Sequence, residues 1–290
     1  MTAVDFAYHR PTTTADTVRL LGELGPDTVL LAGGGSLGIL LNERAVRPEH
    51  VIDLNEVDEL AGIGEDDGGI RLGAMTRLYD VETSELLAGR IPLLPACART
   101  VADPSLRHRV TVGGGLAYAD ASASLPTALL ALDAIVYVVG PRGERSISLD
   151  EFFVGGHETA LARDELITHV RVPVPAEAAG TAWIDLDRRH LSYSLVSVAA
   201  LVERENGRIS SARVAMSGIA PTPRRLHGVE RALAGAAANE DAVREAAGAA
   251  TEEADPPSDL HASAEYRRRM ASEFAARGVL EALARTGGTA

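Results

Sequence analysis

The residues with the clearest chemical promise are six in a row, Gly33-Gly34-Gly35-Ser36-Leu37-Gly38. They follow an apolar run, TVLLA at 28–32, whose pattern predicts a buried strand. Three chemistries fit this hexapeptide. As G-x-G-x-x-G, with Asp53 on the next predicted strand, it matches the dinucleotide fingerprint. The crossover argues against that reading, because only about ten residues separate Gly38 from Pro48. As G-x-S-x-G, with Gly34, Ser36 and Gly38, it matches a nucleophile elbow, but His157, His190 and His227 have no context that completes a triad. As a bare glycine turn ahead of a helix it would bind phosphate through backbone N–H groups, since glycine admits close approach and positive φ. A structural turn with no ligand is the plain alternative. A second run, Gly113-Gly114-Gly115, leaves another short predicted strand at Val110 to Gly113. Two such runs would clamp a diphosphate from both sides.

The elements that must position these runs are legible in outline. Thr13 and Asp16 form a capping pair ahead of a short helix with Val18, Leu20, Leu21 and Leu24 on its apolar side. Ser36 to Ala45 predicts a short helix and Val51 to Leu54 a strand. Further strands are predicted at 70–75 and 134–140, and an edge strand at Leu166 to Val174. Helices are predicted over Tyr79 to Leu87 and Leu125 to Leu132. Composition breaks at Pro173 to Gly180, PVPAEAAG, which divides the chain into units at 1–175 and 180–286. Beyond it, two strands flank Glu205-Asn206-Gly207, an alanine-rich helix covers Leu226 to Ala250, and a last helix covers Ala262 to Arg285.

Composition limits the partners. The chain has 290 residues, ample for a core, and its 28 basic against 41 acidic residues leave −13, which disfavours a nucleic acid. No 18-residue apolar run and no apolar leader are visible, so membrane insertion and secretion are not expected and a cytoplasmic location is. Cys97 is the only cysteine; a buried small hydrophobe is its expected role. One cysteine holds no disulfide framework and no iron–sulfur cluster, so any such centre would sit on another chain.

Four segments in order resemble the FAD-binding medium subunit of the molybdenum hydroxylases, the group of aerobic carbon monoxide dehydrogenase and xanthine dehydrogenase. They are LLAGGGSLGILLNERAVRPEHVIDLNEVDEL, ADPSLRHRVTVGGGLAYADASASLPTALLALDA, DEFFVGGHETALARDELITHVRVPVP and RRHLSYSLVSVAALVERENG. The resemblance implies a two-lobed FAD-binding domain of the PCMH (vanillyl-alcohol-oxidase-like) type, then a smaller α+β C-terminal domain. It implies that Ala32, Gly33, Gly34, Gly35, Ser36 and Leu37, with Thr111, Gly114 and Gly115, hold the diphosphate of non-covalent FAD, Asp120 lying close by. Val101 and Ala102 match a segment near the flavin, Leu166 and Ile167 one near the adenine, and Tyr193 a tyrosine beside the isoalloxazine. The implied partners are a small [2Fe–2S] subunit and a large molybdopterin subunit. Electrons would pass through FAD to an external acceptor, with no catalytic residue on this chain.

The sequence departs from the family pattern at several points. Gly35 replaces a usual glutamine; Ser105, His108 and Val110 replace glutamine, asparagine and glycine; Ser124 stands at an often acidic position; Asp185 and Ser192 replace lysine and aspartate. These changes leave a stand-alone flavoprotein as an alternative, with an NAD-dependent Rossmann enzyme more remote. Asp120 as a turn cap, Tyr193 as a packed core residue, and Arg107 and Arg109 as solvated charges are the plain structural alternatives.

Overall fold

A computed structural model describes residues 5–187 and 193–287. The N-terminal sheet has three parallel strands in the order Ala7–His9, His50–Asp53, Thr28–Leu31. His50–Asp53 is central, so Val51 and Ile52 are fully buried. The helix Thr14–Leu24 is capped as its spacing predicts, Thr13 Oγ1 accepting from the Asp16 N–H at 3.1 Å. The first glycine segment leaves strand Thr28–Leu31 and enters a helix of six residues, Leu37–Asn42.

A five-stranded antiparallel sheet follows, in the order Ile63–Asp66, Gly69–Gly73, Leu166–Val172, Ile135–Gly140, Gly143–Ser148. Leu166–Val172 therefore lies at the centre, not at an edge. Its prolines, 173 and 175, fall beyond the last paired residue and cost the ladder nothing. The predicted helix 79–87 is two helices, Leu78–Thr83 and Glu85–Arg90, broken at Ser84, whose hydroxyl caps the second.

The predicted strand before the second glycine run is absent. Thr111 makes one antiparallel bridge to Arg77, and the chain then enters the helix Val112–Tyr118. Gly113, Gly114 and Gly115 thus lie in its first turn. Close packing explains the first of them, because a Cβ at Gly113 would stand 2.7 Å from that of Ala74.

The C-terminal sheet is antiparallel, in the order Gly180–Leu186, Val196–Glu205, Arg208–Ser217, Arg224–Arg225. Asn206 and Gly207 both have positive φ, 50° and 72°, as an Asn-Gly hairpin requires. Strand alternation sends Val198, Ala200 and Val202 toward the helix Ala264–Ala284. It sends Ala199 and Leu201 into the core of the five-stranded sheet. One sheet thus serves two cores. The single helix predicted over 226–250 is broken into His227–Leu233, Glu240–Ala247 and the start of Ala250–Glu253. Gly235, at φ 76°, turns the chain after the first piece. Among the described residues no helix is long and apolar enough to cross a membrane.

Cys97 sits in the helix Leu93–Ala98 with no exposed surface, and burial raises its thiol well above the ordinary value. A thiol reagent should therefore leave the native protein unmodified and label one cysteine per chain in denaturant. Rapid labelling of the folded protein would contradict this packing.

Candidate functional site

The two glycine segments face each other across one cavity of about 230 Å³. Ala32, Gly33, Gly34, Gly35, Ser36 and Leu37 line one side; Thr111, Gly114 and Gly115 line the other, with Tyr118 at the end. The volume lies below the roughly 300–1,000 Å³ of a whole ligand pocket, so it accommodates one section of a dinucleotide.

The two walls differ chemically. Among the described residues, no hydrogen bond within the protein engages the N–H groups of Gly34, Gly35 or Ser36. Gly34 holds φ 70°, a left-handed backbone that glycine adopts without strain. The second wall does not offer the free donors that a glycine turn would. Gly113 N–H donates to the Ala74 carbonyl at 2.8 Å, Gly114 N–H to Thr111 Oγ1 at 3.1 Å, and Gly115 N–H to the Thr111 carbonyl at 3.0 Å. Its contribution is shape and the positive end of a helix. A Cβ at Gly115 would meet nothing within 4 Å. The open space beside Gly115 is part of the cradle, and the residues present fit a diphosphate.

The competing readings of the hexapeptide lose their structural support. Gly38 is exposed and a Cβ there would touch nothing, so it does not pack helix on strand as the third glycine of a dinucleotide fingerprint does. Asp53 accepts from the Tyr8 hydroxyl and from the backbone and side-chain amides of Asn55, so its oxygens are committed within the protein. Among the described residues, no histidine or carboxylate hydrogen-bonds Ser36.

Two departures from the family pattern prove to be one packing event. A Cβ at Gly35 would stand 2.9 Å from Val110 Cγ2. The valine side chain at 110 fills the space that a side chain at 35 would need.

The remaining predicted residues lie outside this cavity. Val101 and Ala102 form an irregular segment, Ala102 at φ 48°. Arg107 is no solvated surface charge: it is 7% exposed and its Nη1 donates to the carbonyls of Val101 and Ala102 at 3.1 and 2.6 Å. Its Nε pairs with Glu82 at 2.7 Å. Arg109 is exposed.

Asp120 does cap a turn, accepting from the Ser122 N–H at 2.8 Å and from its hydroxyl. Tyr193 is no packed core residue, being 73% exposed. Desolvation and the nearby Asp120 and Tyr118 raise its hydroxyl, which brings these three side chains into one neighbourhood. The Gly218 N–H donates to the Ala121 carbonyl at 2.8 Å, joining this turn to the C-terminal sheet. Leu166 and Ile167 are buried in two different cores. Ser192 lies outside the described residues.

Sequence reasoning missed Asn55, Arg77 and the role of Arg107. No spacing marks them, because each acts on backbone that is distant in sequence or irregular.

Residues 4–175 match the family described as FAD binding domain in molybdopterin dehydrogenase, and residues 182–282 match the CO dehydrogenase flavoprotein C-terminal domain. The chain belongs to the molybdopterin dehydrogenase FAD-binding family. This family member is 36% identical over 280 residues to the carbon monoxide dehydrogenase medium chain of Hydrogenophaga pseudoflava, covering 97% of this chain and 98% of that one. It is 37% identical over 281 residues to subunit alpha of the 6-hydroxypseudooxynicotine dehydrogenase complex of Paenarthrobacter nicotinovorans, covering 97% and 95%. In three dimensions it is similar to the solved carbon monoxide dehydrogenase of Hydrogenophaga pseudoflava that lacks the Mo-pyranopterin moiety of its cofactor. The TM-score is 0.97 at 36% identity, over 99% of this chain and 100% of that one.

Burial raises the Asp53 carboxyl, but hydrogen bonds from Tyr8 and Asn55 outweigh it and hold the group below the usual carboxylate range. Such a group contributes stability above its unfolded value, about pH 4. The contribution is lost as pH falls through the lower folded value. Removing the Tyr8 hydroxyl raises the folded Asp53 value. Because Tyr8 is half exposed, Tyr8→Phe should cost only about 1 kcal/mol near neutral pH. The deficit should shrink on acidification. Urea melts of parent and variant between about pH 3 and 7 check it; a gap independent of pH would assign the loss to packing instead.

Proposed function

We propose that this chain is the FAD-carrying subunit of a heteromeric molybdenum hydroxylase. The observation that carries the proposal is the glycine cradle, with its unpaired donors, in a chain that aligns end to end with a carbon monoxide dehydrogenase medium chain. Bound FAD supplies a redox-active ring that takes electrons from iron–sulfur clusters on a partner and passes them to an external acceptor. Substrate oxidation belongs to a molybdopterin subunit, and a [2Fe–2S] subunit links the two. The lone buried cysteine supports that division. The chain is about equally identical to subunits of a carbon monoxide and a 6-hydroxypseudooxynicotine dehydrogenase, so substrate choice does not reside here.

In this reading residues 1–175 are a PCMH-type FAD domain and 180–286 the C-terminal domain, and the complex is cytoplasmic. The N–H groups of Gly34, Gly35 and Ser36 bind the diphosphate oxygens, with Ala32, Gly33 and Leu37 shaping that wall. Thr111, Gly114 and Gly115 form the opposite wall and keep it shallow. Val101, Ala102, Asp120 and Tyr193 border the flavin ring, and Leu166 and Ile167 approach the adenine end through main chain, their side chains being buried. FAD is held without a covalent bond.

The cradle gives an unusual test. A Cβ at 115 meets no protein atom within 4 Å, and leucine is favoured over glycine in a helix by about 0.8 kcal/mol. Gly115→Leu should therefore melt no lower than the parent while losing FAD. A lost hydrogen bond to a charged oxygen weakens binding roughly ten- to 150-fold, and steric filling of the cradle should cost at least the lower figure. Gly34→Val should lose both FAD and some stability, because valine resists positive φ. Gly287→Val, remote from the cradle, is the control and should stay yellow. Flavin titration beside thermal melts decides the matter. FAD bound by Gly115→Leu as tightly as by the parent would exclude the cradle as the diphosphate site.

Co-expression with chains carrying a [2Fe–2S] cluster and molybdopterin should yield one complex with flavin and cluster absorbance, and acid precipitation should release its flavin into the supernatant. A chain that never joins such partners would overturn the assignment to a heteromeric enzyme.

A further inference from the structure

Adjoining the cradle, and sharing Ala32, Gly33 and Gly34 with it, is a second cavity of about 360 Å³ that Tyr8, Asp53, Asn55, Arg77, His108 and Arg109 also line. A continuous polar chain crosses it. Asn55 Nδ2 donates to the Ala32 carbonyl at 3.0 Å, where the first cradle wall begins. Asn55 Oδ1 accepts from Arg77 Nη2 at 2.5 Å. Arg77 Nη1 donates to the Arg109 carbonyl at 2.5 Å, just before the second wall. The main chain around Arg77 holds the second wall as well: Leu78 N–H donates to the Val110 carbonyl at 3.0 Å, and Val112 N–H to the Thr76 carbonyl at 3.0 Å. Asp53 orients Asn55 by accepting from its side-chain amide.

We propose that Asn55 and Arg77 are positioning residues for the cofactor, a two-residue strap that ties the glycine walls together from the adjoining cavity and sets the gap between them. This inference rests on the diphosphate reading of the cradle. Neither side chain lines the cradle cavity, and the terminal nitrogens of Arg77 are engaged by Asn55 and by the Arg109 carbonyl. Their effect is on geometry. The planar guanidinium reaches one partner in each direction from its two terminal nitrogens, a fork that a single ammonium does not reproduce. If the strap acts as a unit, cutting it at either residue releases the same constraint, and the second cut adds little.

The experiment uses the full chain freed of flavin and titrated with FAD, with Asn55→Ala, Arg77→Met, Arg77→Lys and the Asn55→Ala/Arg77→Met double variant. Thermal melts of the flavin-free proteins run in parallel. Each of Asn55→Ala and Arg77→Met should weaken FAD binding about tenfold, while the melting temperature falls by no more than a few degrees. The double variant should bind about as weakly as the weaker single one. Arg77→Lys, which keeps the charge and one donor, should recover less than half of the loss on a logarithmic scale. Full recovery by Arg77→Lys would mean that the charge acts on the diphosphate directly, and the strap would be wrong. Losses that multiply in the double variant, or that track a collapse in melting temperature, would also overturn it. Gly115→Leu separates the two layers of the argument. If it loses FAD while Asn55→Ala and Arg77→Met bind as the parent does, the strap alone fails. If it binds FAD normally, the cradle reading fails first.

Discussion

The contact on which the site depends is the approach of the Gly33 backbone to the Arg109 carbonyl. A Cβ at position 33 would stand 1.6 Å from that oxygen, a distance no side chain survives. The contact holds the end of a parallel strand against the loop that starts the helix Val112–Tyr118. The packing of Val110 against Gly35 and the bond from Arg77 to the Arg109 carbonyl lie beside the same approach. Glycine is thus needed at 33 for packing and at 34 for its positive φ, two separate reasons within one run.

Irregular backbone around the site is held by buried cations. Arg107 gathers the carbonyls at Val101 and Ala102 and pairs with Glu82. Arg267, on the helix Ala264–Ala284, donates to the carbonyls of Leu195 and Gly218 and pairs with Asp259 at 2.7 Å. Gly218 in turn donates to the turn that carries Asp120. Loops with non-helical, non-sheet carbonyls need donors once water is excluded, and a guanidinium with several N–H groups satisfies several at once. Breaking such a pair leaves a buried charge, which costs about 3–5 kcal/mol. These arginines therefore fix loop shape where regular secondary structure does not.

The C-terminal sheet has a matching task. Because alternate residues of Val196–Glu205 enter different cores, a one-residue slip would exchange the side chains of the two cores at once. Just before the strand, the Leu195 N–H donates to the Leu186 carbonyl at 2.7 Å and continues the pairing.

Local pattern determined much of this protein. The Thr13 cap and the Asn206-Gly207 hairpin rest on contacts within a few residues, and the strands at Thr28–Leu31 and His50–Asp53 and the long last helix show in apolar patterning, all of which periodicity and turn chemistry encode. The glycine runs marked the cradle, and their resemblance to a family's ordered segments pointed to FAD. Tertiary structure decided the rest. Leu166–Val172 became a central strand because hairpins far away in sequence flank it on both sides. The second glycine run became a capped helical turn because Thr111 and the close approach of Ala74 outweigh glycine's poor helix propensity. Asn55 and Arg107 fall within the resembling segments, but their roles and that of Arg77 carried no signal, since a side chain that bonds irregular or distant main-chain carbonyls has no local pattern to betray it.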